Sequence, residues 1–197
     1  MSTQEPTRQN LSRLLSDGIQ RCAKSLGRLS YSTWNVDAVA WDSDCAKTIL
    51  DKIPEGGEDC FGTFLGIPGG GFLVVFPQKS GGLVTNRFTQ AGADSIDALP
   101  DRESKVLAEV SNIIINTLAD ALAGACGKSL ILSSPEPVKA PRKEILLRTL
   151  KRLEPSGACS WVCQARFTSS TFGSDCDFFL FLDNGLAARL ASAAKPG

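Results

Sequence analysis

Two stretches of the chain, "FLVVFPQKSGGLVTNRF" from Phe72 and "FFLFLDNGLAARL" from Phe178, share one pattern: an unbroken apolar run, a polar break, then residues at helical spacing. They lie roughly 105 residues apart, and two long helical stripes, one near the N-terminus and one at mid-chain, lie roughly 95 apart. Repetition at that interval predicts two copies of one helix-strand-hairpin-helix unit. Each copy exposes an apolar face that the other must cover, so the copies are expected to share one sheet carrying the helices and not to form separable domains. The fold class that follows is α+β, with a polar tail over residues 1–9 and a single domain over 10–197. The repeats fall at about 10–90 and 103–195.

The individual elements follow from local pattern. "LSRLLSDGIQRCAKSLGRL" sets Leu11, Leu15, Ile19, Cys22 and Leu26 on one helical face, which predicts a helix from about Asn10 to Leu29. In "STWNVDAVAW", Trp34, Val36, Ala38 and Ala40 alternate as in a strand. "CFGTFLGI" and "FLVVFP", joined by "PGGG", read as a hairpin, with "QKSGGLVTNRF" as a short helix behind it. The second unit opens with a long helix through "EVSNIIINTLADAL" and continues through an extended "SLILSS". After the basic "PRKEILLRTLKRL" it closes with strand candidates "ACSWVCQARFT" and "CDFFLFLD" and the helical "NGLAARLASAAK". In the basic segment Arg142, Lys143, Arg148, Lys151 and Arg152 alternate with Ile145, Leu146, Leu147, Leu150 and Leu153, the pattern of a docked helix with one solvated face.

Composition removes several classes of function. The 21 basic residues balance 21 acidic ones, so nothing electrostatic points to nucleic acid or an anionic membrane. The N-terminus "MSTQEPTRQN" is polar, and no wholly apolar run approaches the roughly 18 residues of a membrane span, so a cytoplasmic protein is expected. Seven cysteines, an odd number without a C-x-x-C pair, argue against a disulfide framework and a zinc site and read as small buried hydrophobes. Histidine is absent, which excludes Ser-His and Cys-His catalysis and histidine-ligated metal.

The mid-chain helix ends in "GACGKS", which looks like a phosphate-binding loop. Such a loop needs glycine six residues before its lysine and must open a helix, but Leu122 stands six before Lys128, and the letters close a helix instead. Gly127 reads as the helix-terminating glycine, with Lys128 beside the last carbonyls. At 100° per residue, Val106, Val110, Ile113, Ile114, Thr117, Leu118, Ala121 and Ala125 fall in one arc, the expected core face. Lys105, Glu109, Asn112, Asn116 and Asp120 form a continuous polar ridge to one side. Beyond the ridge lie Ala108, Ile115 and Ala119, small or apolar and expected to be accessible. Asparagine is a poor helix former, so two of them within a long helix are not there for propensity.

Glu109-x-x-Asn112, followed after 22 residues by Pro135 in "LSSPEP", resembles the signature of the CheC/CheX/FliY family of chemotaxis phosphatases. "FLGIPGGGFLVVFPQKSGGLVTNRF" resembles that family's hairpin and following helix, and "DCDFFLFLDNGLAARL" its closing strand and helix. The resemblance spans about Leu11 to Ala194. It implies a pseudo-twofold, six-stranded sheet with two long surface helices, and hydrolysis of the aspartyl phosphate of a CheY-like response regulator. In that reading Asn112 orients the attacking water and Glu109 pairs with the receiver's invariant lysine. Lys105, Ala108, Ile115, Asn116 and Ala119 border the docked receiver, and Pro135 is structural, ending a strand beside the site. The chain needs no cofactor of its own, since the receiver brings Mg²⁺ with its phosphoaspartate. CheD, the deamidase that partners CheC proteins, and a second copy of this chain are the other candidate partners.

Two departures bear on that reading. The family usually carries Asp or Ser four residues before the glutamate, where this chain has Lys105, a cation able to compete for the Glu109 carboxylate. Aligning the first long helix with the second puts Arg13 and Ser16, or Leu14 and Asp17, at the Glu and Asn positions, so one site per chain is expected. A non-catalytic module that docks a receiver or CheD is the alternative reading. A flagellar switch subunit is a third, weakened because the chain leaves no room for a C-terminal switch-assembly domain.

Overall fold

Strands covered on both faces read as unbroken apolar runs, and here the two most apolar strands sit side by side at the middle of one sheet. The computed structural model describes residues 4–42, 49–53, 56–90, 101–127, 129–154 and 160–193. In chain order the elements are α1 (Gln4–Ser30), β1 (Asn35–Asp42), β2 (Asp59–Ile67), β3 (Gly70–Pro77), α2 (Gln78–Gln90), α3 (Arg102–Cys126), β4 (Glu136–Pro141), α4 (Arg142–Leu153), β5 (Trp161–Ser169), β6 (Ser174–Leu182) and α5 (Asn184–Ala193). The six strands form one antiparallel sheet in the order β1-β5-β6-β3-β2-β4. Exchanging β1 with β4, β2 with β5 and β3 with β6 reverses this order without changing it, as a twofold relation between two units requires.

Alternate residues of the central strands feed two separate cores. Phe72, Val74, Phe76, Phe178 and Leu180 meet the apolar faces of α1, α3 and α5. Leu73, Val75, Phe179 and Phe181 meet Ile145, Leu146 and Leu150 of α4 and Ile49 from the turn over 49–51. At Gly62 of β2 an added Cβ would lie 2.7 Å from Ile145 Cγ2, so glycine there lets α4 settle onto the sheet. Arg142, opening α4, pairs at 2.9 Å with Asp177 of β6, whose side chain is only 2% exposed. Burial raises the Asp177 pKa, and the Arg142 charge opposes that rise.

The two long helices keep the repeat in their burial pattern. Leu11, Leu15, Ile19, Cys22, Ala23 and Leu26 of α1 fall one for one on Leu107, Ser111, Ile115, Leu118, Ala119 and Leu122 of α3, at a displacement of 96 residues (Leu11 onto Leu107). At that displacement Arg13 and Ser16 stand where α3 carries Glu109 and Asn112.

Three local expectations are corrected. Helix α1 begins at Gln4, inside the expected tail. Pro6 suits a first turn, whose N–H groups have no helical partner, and Asn10 Nδ2 donates to Ala191 O at 3.1 Å, tying the start of α1 to α5. "SLILSS" is not a strand: Ile131 is 76% exposed, and Ser133 instead clamps the end of β2, its N–H on Gly66 O (2.9 Å) and its Oγ accepting from Gly66 N–H (2.8 Å). The strand is the following Glu136–Pro141, which accommodates Pro137 and Pro141 because it is an edge strand paired only with β2. In β1 a bulge between Val36 and Ala38 shifts the alternation, so that Ala40 is exposed and Trp41 buried.

Candidate active-site ridge

Helix α3 ends at Gly127, which adopts the left-handed conformation (φ 62°, ψ 21°) and donates its N–H to Ala123 O. "GACGKS" therefore closes a helix; Lys128 lies outside the described residues. By length and composition the helix is apolar enough to cross a membrane (23 residues, mean hydropathy 1.4). Most of its long apolar residues are nevertheless taken up by packing, with Leu107, Val110, Ile114, Ile115, Leu118 and Leu122 all in the core.

That packing rotates the buried stripe relative to expectation. The stripe runs through Leu107, Val110, Ser111, Ile114, Ile115, Leu118, Ala119 and Leu122, roughly 80° around the helix from the centre of the expected arc, which lies between Val110 and Ala121. The reason is that α3 lies against α1, α2 and α5 as well as the sheet. The approach of α1 is close: a Cβ added at Gly18 would sit 2.4 Å from Leu118 Cδ1, and Cys22 Sγ donates to Ile114 O at 3.3 Å. Ser111 is polar yet wholly buried, its hydroxyl satisfied by Leu107 O at 2.7 Å.

Of the three flanking residues expected to be accessible, Ile115 (0% exposed) and Ala119 (4%) are core residues and cannot meet a partner; Ala108 is half-buried. The half-buried fringe lies on the other side of the ridge, at Val106, Ile113 and Thr117, and Ile113 beside Asn112 is the apolar residue a partner could reach. Because the stripe has rotated, the ridge stands roughly 150° from the core centre, nearly opposite it. Lys105, Glu109, Asn116 and Asp120 are exposed, and Asn112 is half-buried. Pro135 is exposed and precedes β4 instead of ending a strand.

Within the ridge the hydrogen bonding is specific. Asn116 Nδ2 donates to both Asn112 O and Asn112 Oδ1, each at 2.8 Å. Among the described ion pairs, which include Glu144–Arg148 at the same i,i+4 spacing, none joins Lys105 to Glu109. The Glu109 carboxylate is thus presented to solvent.

Three cavities among the described residues, of about 610, 310 and 300 Å³, are lined respectively around Ile131 and Leu186, Ile53 and Arg142, and Gly18 and Asp120, the last touching only the C-terminal end of the ridge. None of the three takes in Glu109 or Asn112. A convex ridge suits a macromolecular partner that brings its own reacting group, whereas a small substrate needs a concave site. The described residues contain no cluster of three or more metal-ligating side chains. Burial raises the thiols of Cys22, Cys163 and Cys176, which makes them poor nucleophiles.

No family model matches the sequence, and no curated protein resembles it closely enough to count as a match. Solved structures do. The chain is similar to Thermotoga maritima FliY, with a TM-score of 0.62 and 11% identity over 90% of this chain and 89% of that one. It is similar to the FliM–SpeE complex from H. pylori, at a TM-score of 0.65 and 8% identity over 98% of each chain. It also resembles the CheX–CheY–BeF3–Mg²⁺ complex from Borrelia burgdorferi, at 0.54 and 14% over 85% of this chain and 97% of that one. At these identities the likeness is one of fold. The fold is α+β and CheC-like, shared by CheX, FliY and the FliM middle domain.

Proposed function

We propose that this chain is a chemotaxis-type phosphatase that hydrolyses the aspartyl phosphate of a CheY-like response regulator. The observation that carries the reading is the placement of Glu109 and Asn112 one turn apart on the solvent face of α3, opposite the core. Its support from fold is that one similar structure is a complex of CheX with CheY.

The chemistry fits these residue types. Phosphoryl transfer asks a protein for positioning and charge stabilisation more than for a strong base. The Asn112 carboxamide accepts a hydrogen from a water and holds it in line with phosphorus. The water oxygen bonds to phosphorus as the bond to the aspartyl oxygen breaks; the aspartate departs as carboxylate and the water's proton passes to phosphate or solvent. Glu109 docks by pairing with a receiver lysine. The receiver supplies Mg²⁺.

The test is the decay of a phosphorylated receiver with wild-type protein and with Asn112→Ala. Faster phosphate loss with wild type only supports the phosphatase. If wild type does not speed decay, or the variant is equally fast, the reading is wrong. The second reading is a CheC-like module that docks a receiver or CheD without catalysis, favoured by Lys105 on the same ridge and by the likeness to FliM middle domains. It predicts binding of the phosphorylated receiver with decay slowed or unchanged.

A further inference from the structure

Asn116 directs both hydrogens of its carboxamide onto Asn112, one to the backbone carbonyl and one to Oδ1, each at 2.8 Å. A terminal carboxamide torsion is otherwise broad and roughly twofold, so an exposed asparagine presents oxygen and nitrogen interchangeably. The bond to Oδ1 removes that degeneracy by turning the Asn112 oxygen towards Asn116 and its Nδ2 away.

We propose that Asn116 is a positioning residue for Asn112 and not a docking residue: it fixes the Asn112 carboxamide in one orientation before a receiver arrives. The inference rests on the phosphatase reading above. Oδ1 has two lone pairs, so with one engaged by Asn116 the other still accepts a hydrogen from the attacking water, while Nδ2 is free to donate to a phosphoryl oxygen. Anchoring by the helix's own backbone makes the arrangement independent of the partner. Helix propensity does not account for asparagine at this exposed mid-helix position, where alanine is the better helix former.

The test compares wild type with Asn116→Ala and Asn116→Asp. Asn116→Ala should leave thermal stability unchanged or raised, leave KM for the phosphorylated receiver unchanged, and lower kcat on the order of threefold to tenfold, the effect of freeing one side-chain rotor. Asn116→Asp offers only acceptors to Oδ1 and should lower kcat further at the same KM. A second readout needs no activity: the NMR order parameter of the Asn112 side-chain amide in the free protein should fall in Asn116→Ala, where nothing replaces the lost donor. An unchanged order parameter, or a rise in KM at constant kcat, would overturn the proposal. A wild type without phosphatase activity but with a rigid Asn112 amide that loosens in Asn116→Ala would remove the function proposed above and leave the positioning role standing.

Discussion

Gly18 is where the close packing of α1 on α3 can be measured. Replacing a helix-interior glycine by alanine ordinarily stabilises by about 1 kcal/mol, because the unfolded chain loses freedom. Here the new Cβ would meet Leu118 Cδ1 at 2.4 Å and Ala121 Cβ at 3.4 Å. Carbon atoms pack at about 3.5 Å or more, so Leu118 would have to retreat by about 1 Å, and it is a fully buried side chain. Overpacking of that kind costs about 1–3 kcal/mol, so Gly18→Ala should change stability by about 0 to −2 kcal/mol, not +1. Leu118→Ala should cost about 2–5 kcal/mol on its own. With Leu118 truncated the clash is gone, and Gly18→Ala in that background should stabilise. The cycle therefore predicts a favourable coupling of about 1–3 kcal/mol. Urea unfolding followed by tryptophan fluorescence measures all four species. A full 1 kcal/mol gain from Gly18→Ala in the wild-type background, with no coupling to Leu118, would show that α1 does not meet α3 at this point.

Lys105→Asp should speed receiver dephosphorylation by removing a cation one turn from Glu109, most at low ionic strength, where exposed charges are least screened; an unchanged or lower rate would show that Lys105 does not compete for the carboxylate. Cys22, Cys163 and Cys176 should resist a thiol reagent at pH 8 in the folded protein and react once it is unfolded. Burial pushes the Cys22 thiol up to about 12. Its neutral form is thus favoured in the fold, and its contribution, complete at neutral pH, is lost as pH rises from the ordinary thiol range towards that value. The loss should approach about 1.4 kcal/mol per pH unit, and a wild-type stability curve no steeper than that of Cys22→Ala above pH 9 would contradict it.

The repeat, the hairpins and the ridge were legible because each is a periodicity, and periodicity survives without knowledge of neighbours. What was not legible depended on those neighbours. The buried stripe of α3 was misplaced because the helix packs against three others besides the sheet, which buries Ile115 and Ala119 and frees the edge at Ile113. The strand at Glu136–Pro141 was hidden by its two prolines, acceptable only on a sheet edge, while the more apolar "SLILSS" drew the assignment. Asn116 stood out as a weak helix former, but only its hydrogen bonds distinguish a residue that touches a partner from one that holds Asn112.

The division of labour on the ridge is tested most directly by steady-state dephosphorylation of a CheY-like receiver with wild type, Glu109→Gln and Asn112→Ala. If Glu109 docks and Asn112 places the water, Glu109→Gln raises KM with kcat nearly unchanged, and Asn112→Ala lowers kcat on the order of a hundredfold with KM nearly unchanged. Equal kcat for wild type and Asn112→Ala would contradict the account.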